Sequence, residues 1–340
     1  MGRVRWSVLD RSRTRRGESH QRALRETVEF ARQAEALGFH RFWVAEHHGV
    51  PGVAGSAPTV LAAAVAAATS RIRVGTGGVM LPNHQPLVVA EQFGVLESLY
   101  PGRIDMGLGR SVGFTGGVRR ALGHGKEDAD EFSEQLGELL GYFTGDQPKH
   151  PGVHAWPAEG LGVPAFVLAT GAGADVAARF GLPLVIAAVR GERRMLDAIG
   201  RYRDGFRPTV WGDEPYVVIS GTVLIADTTE QARRLLVPEA WSMAYSRMRG
   251  EFPPLMPPHD VPSPESMSER ERRLFDEAMQ GHVHGTEDEV ADALDGLLAR
   301  TGADEFLVHT STYDRAARLD SHRRLARLAG LAAEPVVVRG

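Results

Sequence analysis

The fold class that this α/β sequence predicts is a closed (β/α)8 TIM barrel, on three observations. Strand-like and helix-like segments alternate eight times along 340 residues, composition does not shift at any midpoint, and the apolar runs end abruptly in polar or glycine-rich residues. An open doubly wound sheet is the runner-up, and both architectures gather chemistry at the carboxyl ends of their strands. The barrel reading takes residues 1–340 as a single domain. An irregular excursion over 250–285, after the seventh strand, reads as a mobile loop or insertion.

Each element has a local reason. Val4 to Leu9 reads as the first strand, and Ser19 caps a helix whose apolar positions Ala23, Leu24, Thr27, Phe30, Ala31, Ala34 and Leu37 keep helical spacing up to Gly38. A second strand begins near Arg41. Pro58 and Pro86 sit where first-turn prolines belong, opening helices to Ser70 and Tyr100, with a third strand at Ile72 to Gly75 between them. The fourth strand is Arg103 to Leu108. A glycine-rich connection, Gly107 to Gly117, is too long for a minimal turn, and loops of that length more often carry function. After a helix from Asp130 to Phe143 come a fifth strand at Ala165 to Ala169, a helix to Phe180, a sixth strand at Leu184 to Ala188, and a helix from Glu192 to Phe206. The seventh strand is the longest apolar β-type run, Tyr216 to Ala226, followed by a helix capped by Asp227 or Thr228 and running through Met248. The excursion Gly250 to Gly285 contains six prolines and one short helical stretch, Arg272 to Met279. Helix Glu287 to Arg300, strand Glu305 to His309 and helix Asp314 to Leu331 complete eight units.

Composition narrows the function classes. A 43% hydrophobic, 24% charged chain is ordinary for a globular protein, and a net charge of -4 offers no basic balance for nucleic acid. The absence of cysteine excludes disulfides, thiol nucleophiles and thiolate metal sites. No apolar run reaches membrane-spanning length and Met1 to Asp10 lacks the apolar core of a signal peptide, so a cytoplasmic location is the default. The loop after the first strand carries Arg11, Arg13, Arg15 and Arg16. These could steer an anionic cofactor or substrate, although such charge runs are usually solvated surface.

The candidate chemistry lies at strand ends. Phe42-Trp43-Val44-Ala45-Glu46-His47-His48 is an apolar run ending in a carboxylate and two imidazoles. Period-two alternation puts Trp43, Ala45 and His47 on one side, Glu46 and His48 on the other. Three consecutive residues do not easily converge on one ion, so no metal site is expected and a histidine general base is the better functional reading. A histidine that only hydrogen-bonds a loop is the competing one. At the third strand, Gly75-Thr76-Gly77-Gly78 would let a flat ligand approach the backbone, or would make a bulge. Arg110 after the fourth strand suits a phosphate, and Thr170-Gly171-Ala172-Gly173 after the fifth opens a helix with its amides, its dipole and the Thr170 hydroxyl. Two phosphate-type elements on neighbouring loops, without a P-loop or dinucleotide fingerprint, favour a mononucleotide.

The pattern Phe42 to His48, then Arg73-Val74-Gly75-Thr76-Gly77-Gly78-Val79-Met80-Leu81-Pro82-Asn83-His84, Pro86 to Gln92 and Leu99 to Arg110 strongly resembles the bacterial luciferase-like flavin monooxygenase family. The resemblance covers nearly the whole chain and is most specific in the first 115 residues. It implies a TIM barrel, usually dimeric, that binds reduced FMN supplied by a separate flavin reductase and uses O2 to oxygenate a small organic substrate. Carried over residue by residue, His47 is a catalytic acid/base near the flavin. Gly77 and Gly78 match a pair that is often joined by a cis peptide against the isoalloxazine ring. Arg110 is a phosphate-binding arginine, Val112 lends a backbone amide to that phosphate, and Thr170, with Gly171 and Gly173, occupies the family's phosphate loop. The chain departs from the luciferase catalytic subunit in having Gly109 for a reactive cysteine, Ala188 for a tryptophan, and fewer hydroxyls at Thr170 to Gly173. Two other readings stay open: a deazaflavin-dependent oxidoreductase on the same barrel, and a non-catalytic flavin-binding or partner subunit.

Overall fold

The computed structural model describes residues 4–189 and 191–332. The ends of the predicted domain, 1–3 and 333–340, lie outside the described residues. Eight barrel strands are β1 (Arg5–Asp10), β2 (Arg41–Val44), β3 (Arg73–Thr76), β4 (Ile104–Gly109), β5 (Ala165–Ala169), β6 (Leu184–Ala187), β7 (Val217–Gly221) and β8 (Glu305–Val308). Their hydrogen-bonded order is β3-β2-β1-β8-β7-β6-β5-β4, and β3 also pairs with β4, so the parallel sheet closes as the predicted (β/α)8 barrel. By internal contacts the chain divides into a first unit, Met1–Phe42, Gly49–Ser56 and Ile219–Gly340, and a second, Trp43–His48 and Ala57–Val218. No helix of the described residues is long and apolar enough to cross a membrane.

In the second unit, close strand approach dictates glycine. A Cβ at Gly75 would lie 2.4 Å from the Asp105 carbonyl oxygen, one at Gly78 2.7 Å from that of Gly107, and one at Gly107 2.0 Å from that of Thr76. No side chain fits between those backbones. Helices Pro58–Ala68 and Pro86–Leu99 start at the predicted prolines. A seven-residue helix, Gly116–Leu122, stands inside the glycine-rich connection, its Thr115 hydroxyl accepting from the Val118 amide. The sequence reading has no helix there, because two glycines at its start suppress helical propensity.

In the first unit, Ser19 caps helix His20–Ala36 through the Arg22 amide, as predicted. Three corrections follow. The predicted seventh strand, Tyr216 to Ala226, is two strands broken at Thr222: β7 belongs to the barrel, whereas Val223–Ile225 pairs in parallel with Val283–Gly285. The excursion is therefore less irregular than its prolines suggest. Its helix Glu269–Met279 is longer than predicted, and Val261, Met267, Phe275 and Ala278 bury against Ala240, Trp241 and Ala244 of helix Thr229–Arg249. The arginine run is the third correction, since Arg13 and Arg15 are buried, Arg11 is nearly so, and only Arg16 of the four is exposed. Arg15 donates to the carbonyl oxygens of Tyr313 (2.5 Å) and Thr312 (2.7 Å), and burial pulls its pKa down to about 9. The loop is strapped to the excursion, Leu255 N–H donating to Thr14 and Arg16 N–H to Leu255. Charge count alone could not reveal that backbone carbonyls and a carboxylate solvate these guanidiniums in place of water.

Candidate active site

Backbone register carries the candidate site across the carboxyl ends of four strands of the second unit. Gly77 N–H donates to the Val44 carbonyl oxygen at the end of β2 (2.8 Å). Val79 and Met80, just past β3, pair with Leu108 and Gly109, and Gly109 pairs in turn with Leu168 of β5. Adjacent parallel strands lie about 4.8 Å apart, so Arg110 and Thr170 leave neighbouring strand ends. The residues of the sequence pattern, His47, Gly77, Gly78, Arg110 and Thr170, thus follow the ends of β2, β3, β4 and β5.

The Gly77–Gly78 peptide bond is cis, as the resemblance implies. His47 is partly exposed on the loop after β2. Arg110 is half exposed, its nearest anionic partner being Asp130 at 3.8 Å. Val112 is partly buried. At the fifth strand, Thr170 and Gly171 precede a helix, Gly173–Phe180, whose first turn is closed by Ala174 N–H to Gly171 (3.0 Å) and Asp175 N–H to Ala172 (3.3 Å). Asp175 puts a carboxylate in that turn and is drawn to Arg201 at 3.2 Å. A Cβ at Gly171 would meet nothing within 4 Å, and one at Gly109 only Val79 O at 3.9 Å. These strand ends are open, in contrast to the packed glycines of β3, and the space beside a guanidinium and a helix start fits a phosphate-bearing cofactor.

The structure adds a cluster that the sequence reading did not assemble. Glu46 is fully buried, and its Oε1 sits 2.6 Å from His48 Nε2 and 2.9 Å from His84 Nε2, while Oε2 accepts the Met80 N–H at 2.9 Å. Burial alone would raise the Glu46 pKa, but the His48 and His84 hydrogen bonds, the charge of His84 and the Met80 amide outweigh it and bring the pKa down to about 2. An ionised carboxylate only accepts, so both imidazoles present Nε2–H to it and keep Nδ1 as the other ring nitrogen. Such an arrangement can hold a proton or pass one on. Glu46, His48 and His84, with ligand atoms within 4.8 Å of one another, could hold an ion, and the consecutive His47 is not among them. His84 takes the place that consecutive numbering denied to His47. The only sequence signal for His84 was its position inside the family-like segment, to which no role was attached.

A profile of the luciferase-like monooxygenase family matches residues 3–305. The chain belongs to that family. It is 35% identical over 320 residues to a luciferase-like monooxygenase of Escherichia coli K12, covering 94% of this chain and 95% of that one. It is 36% identical over 240 residues to the N-acetyl-S-alkylcysteine monooxygenase of Bacillus subtilis, covering 69% and 71%. Among solved structures, apo-MsnO8 superposes with a TM-score of 0.84 at 32% identity, covering 98% of this chain and 99% of that one. The same fold recurs at lower identity in the oxygenating constituent of 3,6-diketocamphane monooxygenase from Pseudomonas putida, solved with FMN (20%, TM-score 0.69, coverage 95% and 97%). It recurs also in an F420-dependent secondary alcohol dehydrogenase (16%, TM-score 0.74, coverage 96% and 99%). The chain is thus an oxidoreductase of the luciferase-like monooxygenase family.

Proposed function

We propose that this family member is an FMN-dependent monooxygenase acting on a small organic substrate as a single-domain barrel over residues 1–340. The observation that supports this most is the register line itself, which sets a half-exposed arginine, a helix start and open glycines beside one another at the ends of β4 and β5. Arg110, the Val112 amide, Thr170, Gly171 and Gly173 would hold the phosphate, and Gly77-Gly78 would face the ring. When bound, reduced FMN from a separate reductase supplies the electrons for O2 activation. The chain binds and orients the reactants, excludes water, and moves a proton at the His47 imidazole, with Glu46 holding His48 and His84 in one tautomer beside it in sequence.

The named activity of the B. subtilis relative makes an N-acetyl-S-alkylcysteine the first substrate to try. Titration with reduced FMN and reduced deazaflavin in parallel tests the cofactor. FMN should bind and consume O2, whereas tight deazaflavin binding without O2 consumption would overturn the reading. His47→Ala should keep FMN binding and lose at least about 100-fold in turnover, the size of a removed general acid/base. A homodimer is part of the proposal, supported by Val60, Val88, Val95 and Leu99, apolar side chains exposed on helices Pro58–Ala68 and Pro86–Leu99. Light scattering of Val95→Glu against the parent protein checks it.

A further inference from the structure

The first unit contains a second polar cluster that the flavin reading does not use. Arg11, one residue past β1, places Nη2 2.5 Å from Glu239 Oε1 and 3.4 Å from the carbonyl oxygen of His309, one residue past β8. Arg13 Nε lies 3.3 Å from Glu239 Oε2, and Arg13 Nη2 donates to Ser242 Oγ and to the Pro253 carbonyl oxygen. Thr222, one residue past β7, has its hydroxyl 3.5 Å from His309 Nδ1. His282, next to the short strand Val283–Gly285, completes the cluster electrostatically.

Charge and burial set the cluster apart from an ordinary ion pair. Two guanidiniums face one carboxylate, so one positive charge is unmatched within it. The imidazoles do not add to that charge at neutral pH, because burial and Arg11 hold His309 at a pKa of about 3, and burial holds His282 at about 4. Arg13 is spent on the strap to Ser242 and Pro253. Arg11 is the outward member, its side chain 14% exposed against 3% for Arg13. Arg11 Nε and His282 Nδ1 have no hydrogen-bond partner among the described residues. Arg11 Nε itself is buried, so the exposed part of the guanidinium is what an outside group would meet. An unmatched, partly desolvated positive charge is costly unless something supplies the missing negative one. Arg11, Thr222 and His309 each follow the carboxyl end of a strand, the end at which (β/α)8 barrels bind ligands.

We propose that Arg11, oriented by Glu239 and flanked by His309 and His282, is an anion site of the first unit that binds the carboxylate of a small organic monoanion in preference to a neutral molecule. A planar carboxylate matches the guanidinium edge and carries the one charge the cluster lacks. The anion site is independent of the flavin reading and is testable without flavin.

The probes are 3-phenylpropanoate and its neutral isostere 3-phenylpropanamide, followed by thermal unfolding and by NMR of 13C-labelled histidine. The acid should raise the unfolding midpoint saturably and move the His282 and His309 Cε1 resonances, and the amide should do neither. Arg11→Gln should abolish the response and Arg11→Lys, which keeps the charge without the planar fork, should weaken it. Arg16→Gln, at an exposed pair with Asp260, should leave it intact. The proposal is overturned by equal responses to acid and amide, by an undiminished response in Arg11→Gln, or by no response up to about 20 mM, where a Kd of about 1 mM would already saturate. If Arg11→Gln does not fold, the histidine resonances of the parent protein and the Arg11→Lys variant decide between these outcomes. Loss of the acid response with FMN binding intact would remove this inference alone, whereas absent FMN binding with the acid response intact would remove the flavin reading alone.

Discussion

Glu46 in the second unit and Glu239 in the first are both buried carboxylates with a pKa of about 2, yet their partners differ. Glu46 is held ionised against its burial by two imidazoles and a backbone amide, Glu239 by two guanidiniums with smaller help from His309 and His282. Imidazole can release its proton near neutral pH and guanidinium cannot. The first arrangement therefore suits proton movement, the second a permanent charge. The same difference separates the neighbouring histidines. His48 and His84 keep partial exposure beside a carboxylate, whereas His309 and His322 are driven neutral by burial, His322 to a pKa of about 4.

The largest test of that contrast is truncation of each carboxylate. Glu239→Ala leaves two buried guanidiniums without their counter-ion and should cost about 3–5 kcal/mol in urea unfolding. Glu46→Ala should cost about 1–3 kcal/mol, since its partly exposed imidazoles can turn neutral or meet water. Equal losses would break the distinction between fixed and exchangeable charge.

Acid stability comes next. His282, His309 and His322 have folded pKa values below the ordinary 6.5, so the unfolded chain binds more protons and stability falls as pH drops below about 6.5. Each contributes up to about 1.4 kcal/mol per pH unit until its folded pKa is reached. Glu46 and Glu239 act in a lower window, their contribution being present above pH 4.5 and lost as pH falls towards 2. Urea midpoints at pH 7.5, 6.0 and 5.0 should therefore already decline. His309→Gln should flatten the slope, and a flat profile down to pH 4.5 would contradict the neutral, buried histidines of the first unit.

The smallest effect sharpens the site geometry. Gly78→Ala drives a Cβ onto the Gly107 carbonyl oxygen and should destabilise by about 1–3 kcal/mol. Gly171→Ala enters open space and should stay within about 0.5 kcal/mol. Thermal unfolding of the two variants separates a glycine needed by strand packing from one that leaves room for a ligand.

Much of this architecture was readable before any coordinates. The prolines at 58 and 86, the Ser19 cap and the apolar strand ending at Glu46-His47-His48 each follow from local rules: a fixed φ at a helix start, an orphan amide needing an acceptor, and a buried strand whose side chains turn polar at its mouth. Alternation alone put Glu46 and His48 on one side, and they do share a hydrogen bond. The break at Thr222 was hidden because Tyr216 to Ala226 is continuously apolar, and periodicity cannot tell one long buried strand from two that pair with different neighbours.

By itself, then, the sequence determined the alternation of elements, their caps and the residues at the second strand's mouth, because those depend on neighbours a few positions away. Only the tertiary structure decided what the ionisable side chains do. His84 reaches Glu46 across 38 positions and Arg11 reaches Glu239 across 228. Whether a charge is solvated by water, a carbonyl or an opposite charge is set by burial and by partners that local spacing does not encode.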